Sequence, residues 1–160
     1  ETWAAALILA RAGAGSLDAA NGIDREVLKL AKGKAVVELE GAGPQLEIFD
    51  ALPEKEQRDL LGEVVRDGGE ATGESGNLAE AWRKGDIARI EAETRRGMLA
   101  DPELREALFT GRNRAWTGKI AVRLERGERV FVAVGGAHMA GADGLPAMLA
   151  ARGFRVERLQ

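Results

Sequence analysis

The chain has no cysteine, a single histidine and no apolar run of membrane length, and each absence removes a class of function from its 160 residues. Without Cys there is no disulfide, no thiolate zinc site and no cysteine nucleophile. The redox compartment stays open for the same reason, because a protein without thiols is indifferent to it. One His excludes a His-rich zinc centre built by this chain alone. Any metal would therefore be held mainly by oxygen, which suits Mn or Mg better than Zn or Cu. A Ser-His-acid triad is confined to His138, and neither Ser16 nor Ser75 stands in a nucleophile-elbow context. Surplus positive charge is missing too: 23 Lys+Arg face 26 Asp+Glu, giving a formal charge of -3 and a pI near 5.4. Non-specific nucleic-acid affinity needs excess Lys and Arg, so no nucleic-acid partner is expected. The longest apolar candidate, Trp3 to Ala10, is cut off by Arg11 and falls far short of the roughly 18 residues of a membrane span. The opening Glu1-Thr2-Trp3 has no Met, basic stretch or cleavage-site pattern, so no signal peptide is read and the chain looks like part of a longer polypeptide.

What is present is a globular composition, 45% hydrophobic and 31% charged, at the length of one domain. The pattern predicts an Ala/Leu-rich helix over 3–11 and a second over 25–31 with Asp24 as its cap. It predicts a strand over 34–40 from Val36, Val37 and Leu39, a helix from Pro44 to Leu52, and another from Pro53 with Leu60, Leu61, Val64 and Val65 as its stripe. Residues 67–76 read as a loop. Next come helices over 78–84 and 87–96, separated by a stopping Gly85 and a capping Asp86. Asp101-Pro102-Glu103 is a strong helix start, and Phe109, Trp116, Ile120 and Leu124 keep one face as far as Arg126. A strand over 129–135, a helix over 143–152 and a closing strand over 154–159 would make a right-handed βαβ unit. The expected class is thus α/β: helix-rich, with a small, mainly parallel sheet, and itself part of a larger α/β domain.

Three groups of residues suggest chemistry. Val134-Gly135-Gly136-Ala137-His138 puts the only imidazole just after the carboxyl end of a predicted buried strand, where open α/β sheets bind ligands. The plainer alternative is a His that merely caps the next segment. Gly135, Gly136, Gly141 and Gly144 do not fit a dinucleotide fingerprint. Glu38-Leu39-Glu40 ends the first predicted strand, and if that strand runs parallel to the second, Glu40 and His138 leave the sheet at one edge. There they could share a metal or a proton, or the acids could simply be a solvated strand end. Asn113 falls inside the apolar stripe, where an unpartnered amide costs about 1–3 kcal/mol. Arg112 turns partly inward beside it, and Glu40 would serve as its carboxylate. A structural Asn and a surface Arg is the competing view.

Taken together, these stretches resemble the TraB/GumN family, which also takes in plasmid pheromone-shutdown proteins and the animal Tiki proteins. The resemblance rests on Gly22-Ile23-Asp24, Gly33-Lys34 leading to Glu38-Leu39-Glu40, Gln45, Leu52-Pro53, Trp82 with Gly85-Asp86, and Arg112-Asn113 with Trp116 and Ile120. It continues through Val134-Gly135-Gly136-Ala137-His138, Gly144-Leu145, Leu149, Gly153-Phe154 and Val156, in the family's order and over nearly the whole chain.

The resemblance implies a domain with two G-x-x-H motifs and essential Glu and Arg/Asn positions, and Tiki members are described as Mn- or Co-dependent peptidases. Carried over, Gly135 to His138 is the second G-x-x-H, Glu40 the strand-end acid and Arg112-Asn113 the helix pair. Glu40, His138 and Arg112 are then the catalytic set, with His138 and Glu40 on a divalent ion (Mn, Co or Mg). Asn113, Gly135, Gly136 and Glu38 surround them or face substrate. The first G-x-x-H is not in this chain, so residues 1–160 read as a single partial domain, inactive alone. The implied activity is metal-dependent hydrolysis of a peptide or other small substrate, with a periplasmic or cell-envelope location. The alternative is a non-catalytic protein that sequesters a peptide or saccharide. A domain without its neighbouring strands would also self-associate through an open sheet edge.

Overall fold

The computed structural model describes residues 1–12, 22–70 and 74–159, without the side chains of 67–70 and 74–77. Its helices are α1 (Thr2–Ala12), α2 (Ile23–Leu30), α3 (Ala42–Asp50), α4 (Glu54–Glu70), α5 (Glu74–Lys84), α6 (Ile87–Glu93), α7 (Pro102–Arg105), α8 (Gly111–Glu125) and α9 (Leu145–Ala151). A π-helical turn, Glu106–Thr110, joins α7 to α8, so residues 102–125 form one continuous helical rod. Short 3-10 turns cover Gly97–Ala100 and Gly136–Met139.

The α/β expectation is overturned. Among the described residues there is no strand, no sheet and therefore no βαβ unit or sheet edge. Residues 35–38, 128–135 and 154–159 are irregular where strands were expected. The reason is non-local. A strand exists only when a second backbone answers its N–H and C=O groups, and residues 129–134 make no backbone hydrogen bond to another described residue. Their apolar side chains divide instead: Leu39 and Val134 pack under α8, while Val36, Val37 and Phe131 face solvent. Self-association through a sheet edge has no such edge to work with.

The helices obey local rules more closely. Asp86 caps α6 by accepting from the Arg89 N–H at 3.0 Å. Asp101 caps α7 by accepting from Glu103 and Leu104 at 2.9 and 3.0 Å, with Pro102 in the first turn. Gly22 rather than Asp24 precedes α2, and the Asp lies in the first turn. The predicted loop over 67–76 is shorter, because α4 continues to Glu70 and α5 begins at Glu74; residues 71–73 lie outside the described residues. Gly127, at φ 74, closes α8 while Glu128 N–H reaches back to Arg123 O at 3.0 Å. That left-handed cap turns the chain out of the helix and into 128–135.

Among the described residues, apolar burial is spread over three clusters rather than one core. Leu52, Leu104 and Leu108 hold α3 to the α7–α8 rod. Ala81, Ile90 and Ala140 join α5 and α6 to the 3-10 turn that carries His138. Trp116, Ile120 and Leu145 hold α8 to α9. At the other end α1 packs along α4, with Ala6 and Leu60 buried between them. No helix among the described residues is long and apolar enough to cross a membrane.

Candidate functional site

The site grows from the rod. The π turn at 106–110 inserts one residue into the helical repeat, a feature often found beside functional positions. Gly111 makes it possible: a Cβ there would stand 2.6 Å from the Glu106 carbonyl oxygen. Immediately after it, Arg112 and Asn113 leave the helix towards different neighbours.

Asn113 is 0% exposed, and every polar contact it makes is directed. Its Nδ2 donates to the Asp143 carbonyl at 2.6 Å, which fixes the amide orientation. Its Oδ1 then faces His138 Nδ1 at 2.6 Å. An amide oxygen only accepts, so Nδ1 carries the proton and Nε2 carries the lone pair. The imidazole is sandwiched by aromatics, stacked on Phe109 at 5.1 Å and 17° and tilted against Trp116 at 4.7 Å and 55°. Burial in this apolar setting pulls its pKa from 6.5 down to about 4; the Arg112 charge pushes the same way and Glu40 opposes. The result is a neutral imidazole at pH 7 with a fixed tautomer.

Arg112 turns towards Glu40. Its Nη2 donates to Glu40 Oε1 at 2.5 Å, its Nε to Glu40 Oε2 at 3.2 Å, and its Nη1 to Leu108 O at 3.2 Å. The guanidinium also lies 4.7 Å over the Trp116 ring. Trp116 Nε1 donates to the same Glu40 Oε2 at 3.1 Å. A forked pair with an aromatic face is a geometry that Lys cannot reproduce. The pair is about four-fifths buried, with Glu40 and Arg112 side chains 17% and 18% exposed.

The sheet-edge route for bringing Glu40 to His138 does not exist, but both reach one indole: Glu40 through Trp116 Nε1 and His138 through the ring. Glu40, Arg112 and Trp116 line an open cleft of about 480 Å³, with Leu39, Ile48 and Lys119 among its other walls. His138 is not part of that lining. Gly136 lies under Trp82, where an added Cβ would come within 3.0 Å of the indole; Gly135 supplies the carbonyl that His138 N–H bonds at 3.0 Å. Glu38 is exposed and stands beside Gly41, with no hydrogen bond to the cluster.

Sequence reasoning read Phe109 and Trp116 as core residues, and their spacing carried no hint that they also enclose the imidazole. Arg105 was also missed. It lies 4.9 Å over the Phe109 ring, bonds Asp143 Oδ2 at 2.8 Å and donates to the Thr94 carbonyl. That bracing holds the loop whose backbone fixes Asn113.

Glu40 and His138 each carry a donor of a type that divalent ions accept. His138 offers Nε2, with Nδ1–H tied back in the way that orients metal-binding imidazoles. Glu40 has about four lone-pair positions and three are used, which leaves one on Oε1. Two protein donors are compatible with an ion that keeps water or substrate in its remaining positions. Elsewhere, Glu56, Asp101 and Glu103 are the one group of three among the described residues whose geometry could hold a metal ion.

The family model described as TraB/PrgY/gumN matches residues 1–158. No curated protein and no solved structure gives a match.

Proposed function

This chain belongs to the TraB/PrgY/gumN family, and from that premise we propose that the His138–Asn113–Arg112–Glu40 cluster is part of a metal-assisted, peptidase-like hydrolytic site. The observation that carries the reading is the Nδ1 contact of 2.6 Å between His138 and Asn113. It leaves a neutral imidazole with one committed nitrogen and one available nitrogen, a costly arrangement for a residue serving only as filler.

His138 Nε2 and the spare lone pair of Glu40 Oε1 would hold an ion of the Mn, Co or Mg type. When bound, such an ion supplies Lewis-acid polarisation of the scissile carbonyl. Asn113 fixes the ring so that Nε2 points the same way throughout. Phe109 and Trp116 exclude water from the imidazole and keep it unprotonated. Arg112 orients Glu40, and two of its five N–H groups remain unspent, available to a developing oxyanion on the cleft side. Gly136 and Gly135 let the His138 turn pass beneath Trp82, and Glu38 stays at the rim.

A second reading has its own support. Both oxygens of Glu40 are already bonded, and the cleft is walled mainly by apolar side chains, with Glu40 and Glu106 balancing the cations Arg112 and Lys119. Those features suit capture of a peptide or a saccharide without any metal.

Manganese titration watched by NMR separates the two. The hydrolytic reading expects paramagnetic broadening centred on His138, absent in His138→Gln, together with peptide cleavage that needs the ion. Broadening that ignores His138, with peptide binding unaffected by chelator, would leave capture as the function.

A further inference from the structure

Away from the His138 cluster, three carboxylates from two helix starts converge. Glu56 stands in the first turn of α4, and Asp101 and Glu103 flank Pro102 at the start of α7. One carboxylate oxygen from each lies within 4.8 Å of the other two. Acids are favoured at helix N-termini on general grounds. Lys55 also answers part of the charge, bonding Glu56 Oε1 at 3.0 Å and Asp59 Oδ2 at 2.8 Å.

Neither helix-end preference nor Lys55 accounts for the whole of Glu56. The residue is 6% exposed, and its Oε2 is sealed from solvent and accepts no hydrogen bond. A charged oxygen buried without a donor is costly unless a cation answers it. Asp101 Oδ1 is committed to capping α7, and Glu103, on the exposed side, borders an open cleft of about 490 Å³ with Pro53 and Pro102.

We propose that Glu56, Asp101 and Glu103 form a second site, independent of His138, that binds a hard, oxygen-preferring divalent cation of the calcium class. The donor set is all carboxylate, with no nitrogen or sulfur, and a partly open side leaves room for water. Lys55 bonds Oε1, and the oxygen left without a donor is Oε2. Bound there, the ion ties the start of α4 to the start of the α7–α8 rod. It would brace the helices beside the active cluster without entering it.

Calorimetric titration with calcium chloride, and melting against sodium chloride of equal ionic strength, test the site. The expected result is saturable one-site binding with Kd on the order of 10⁻⁴–10⁻³ M and a concentration-dependent rise in Tm. Glu56→Gln and Glu103→Gln should each weaken binding about tenfold or more, and Asp101→Asn should do so while keeping a capping side chain. His138→Gln should bind calcium like the parent, which separates this site from the manganese experiment. Glu103 is exposed, so its variant remains informative even if Glu56→Gln folds poorly. No saturable heat and no rise in Tm, or binding unchanged in the Glu56 and Glu103 variants, would overturn the proposal and leave Lys55 as the counter-ion.

Discussion

The imidazole of His138 links a buried amide, two aromatic rings and a forked ion pair, so its titration reports on all of them. Its folded pKa, about 4, lies below the ordinary histidine value of 6.5. Between those values the unfolded chain binds more protons, so stability is complete above about pH 6.5 and is lost as pH falls towards 4. With allowance for partial solvent access, that window is worth on the order of 2–3 kcal/mol. Chemical denaturation at a series of pH values should show the slope, and His138→Phe should flatten it. Asn113→Asp should raise the His138 pKa, because a carboxylate facing Nδ1 favours the imidazolium; ¹H–¹⁵N titration of the ring would show this. Asn113→Leu leaves Nδ1–H and the Asp143 carbonyl without partners and should destabilise the fold by about 2–3 kcal/mol. At this scale the sequence was partly legible. One His, and one Arg-Asn pair inside a stripe, draw attention by chemistry alone. Trp116 and Phe109 did not, because an aromatic at helical spacing looks the same whether it fills a core or encloses an imidazole.

Several helix starts and stops were readable because their causes lie within a few residues: Asp86 and Asp101 cap the helices that begin just after them, and Gly85 stops the one just before it. The predicted strands failed for the opposite reason. Val36, Val37, Phe131 and Val132 have the right β-branched and aromatic bulk, but a ladder partner is non-local, and among the described residues none is offered. The π turn was equally invisible, since Glu106 to Thr110 satisfies every helical pattern. Gly111 is its only trace in the sequence. In an ordinary helix Gly→Ala gains about 1 kcal/mol. Here the methyl would meet the Glu106 carbonyl at 2.6 Å, and crowding of that kind costs about 1–3 kcal/mol. Gly111→Ala should therefore lower Tm, and a rise would mean that the turn relaxes to a regular helix without penalty.

At the scale of the molecule, the three apolar clusters found among the described residues are held in register by polar ties that cross long stretches of chain. One that runs through the site joins Glu40 to Arg112, 72 positions apart, and to Trp116, 76 apart. Together with Leu39 packing under α8 and the Lys119 side chain donating to the Leu39 carbonyl, it fastens residues 35–40, which lack a ladder, to the rod. Arg112→Leu removes the fork and leaves a largely buried carboxylate with only the Trp116 N–H. The loss should be about 1–3 kcal/mol, less than the roughly 3–5 kcal/mol of a fully buried pair because both side chains keep some solvent. A second substitution, Glu40→Leu, takes away the stranded charge, so the double variant should recover part of that loss. The same tie predicts a local effect: trypsin should cut after the exposed Lys34 faster in Arg112→Leu than in the parent, at a temperature where global unfolding is rare. Equal cutting rates, with additive losses in the double variant, would mean that Leu39 alone holds the segment and that the ion pair serves the cleft rather than the fold.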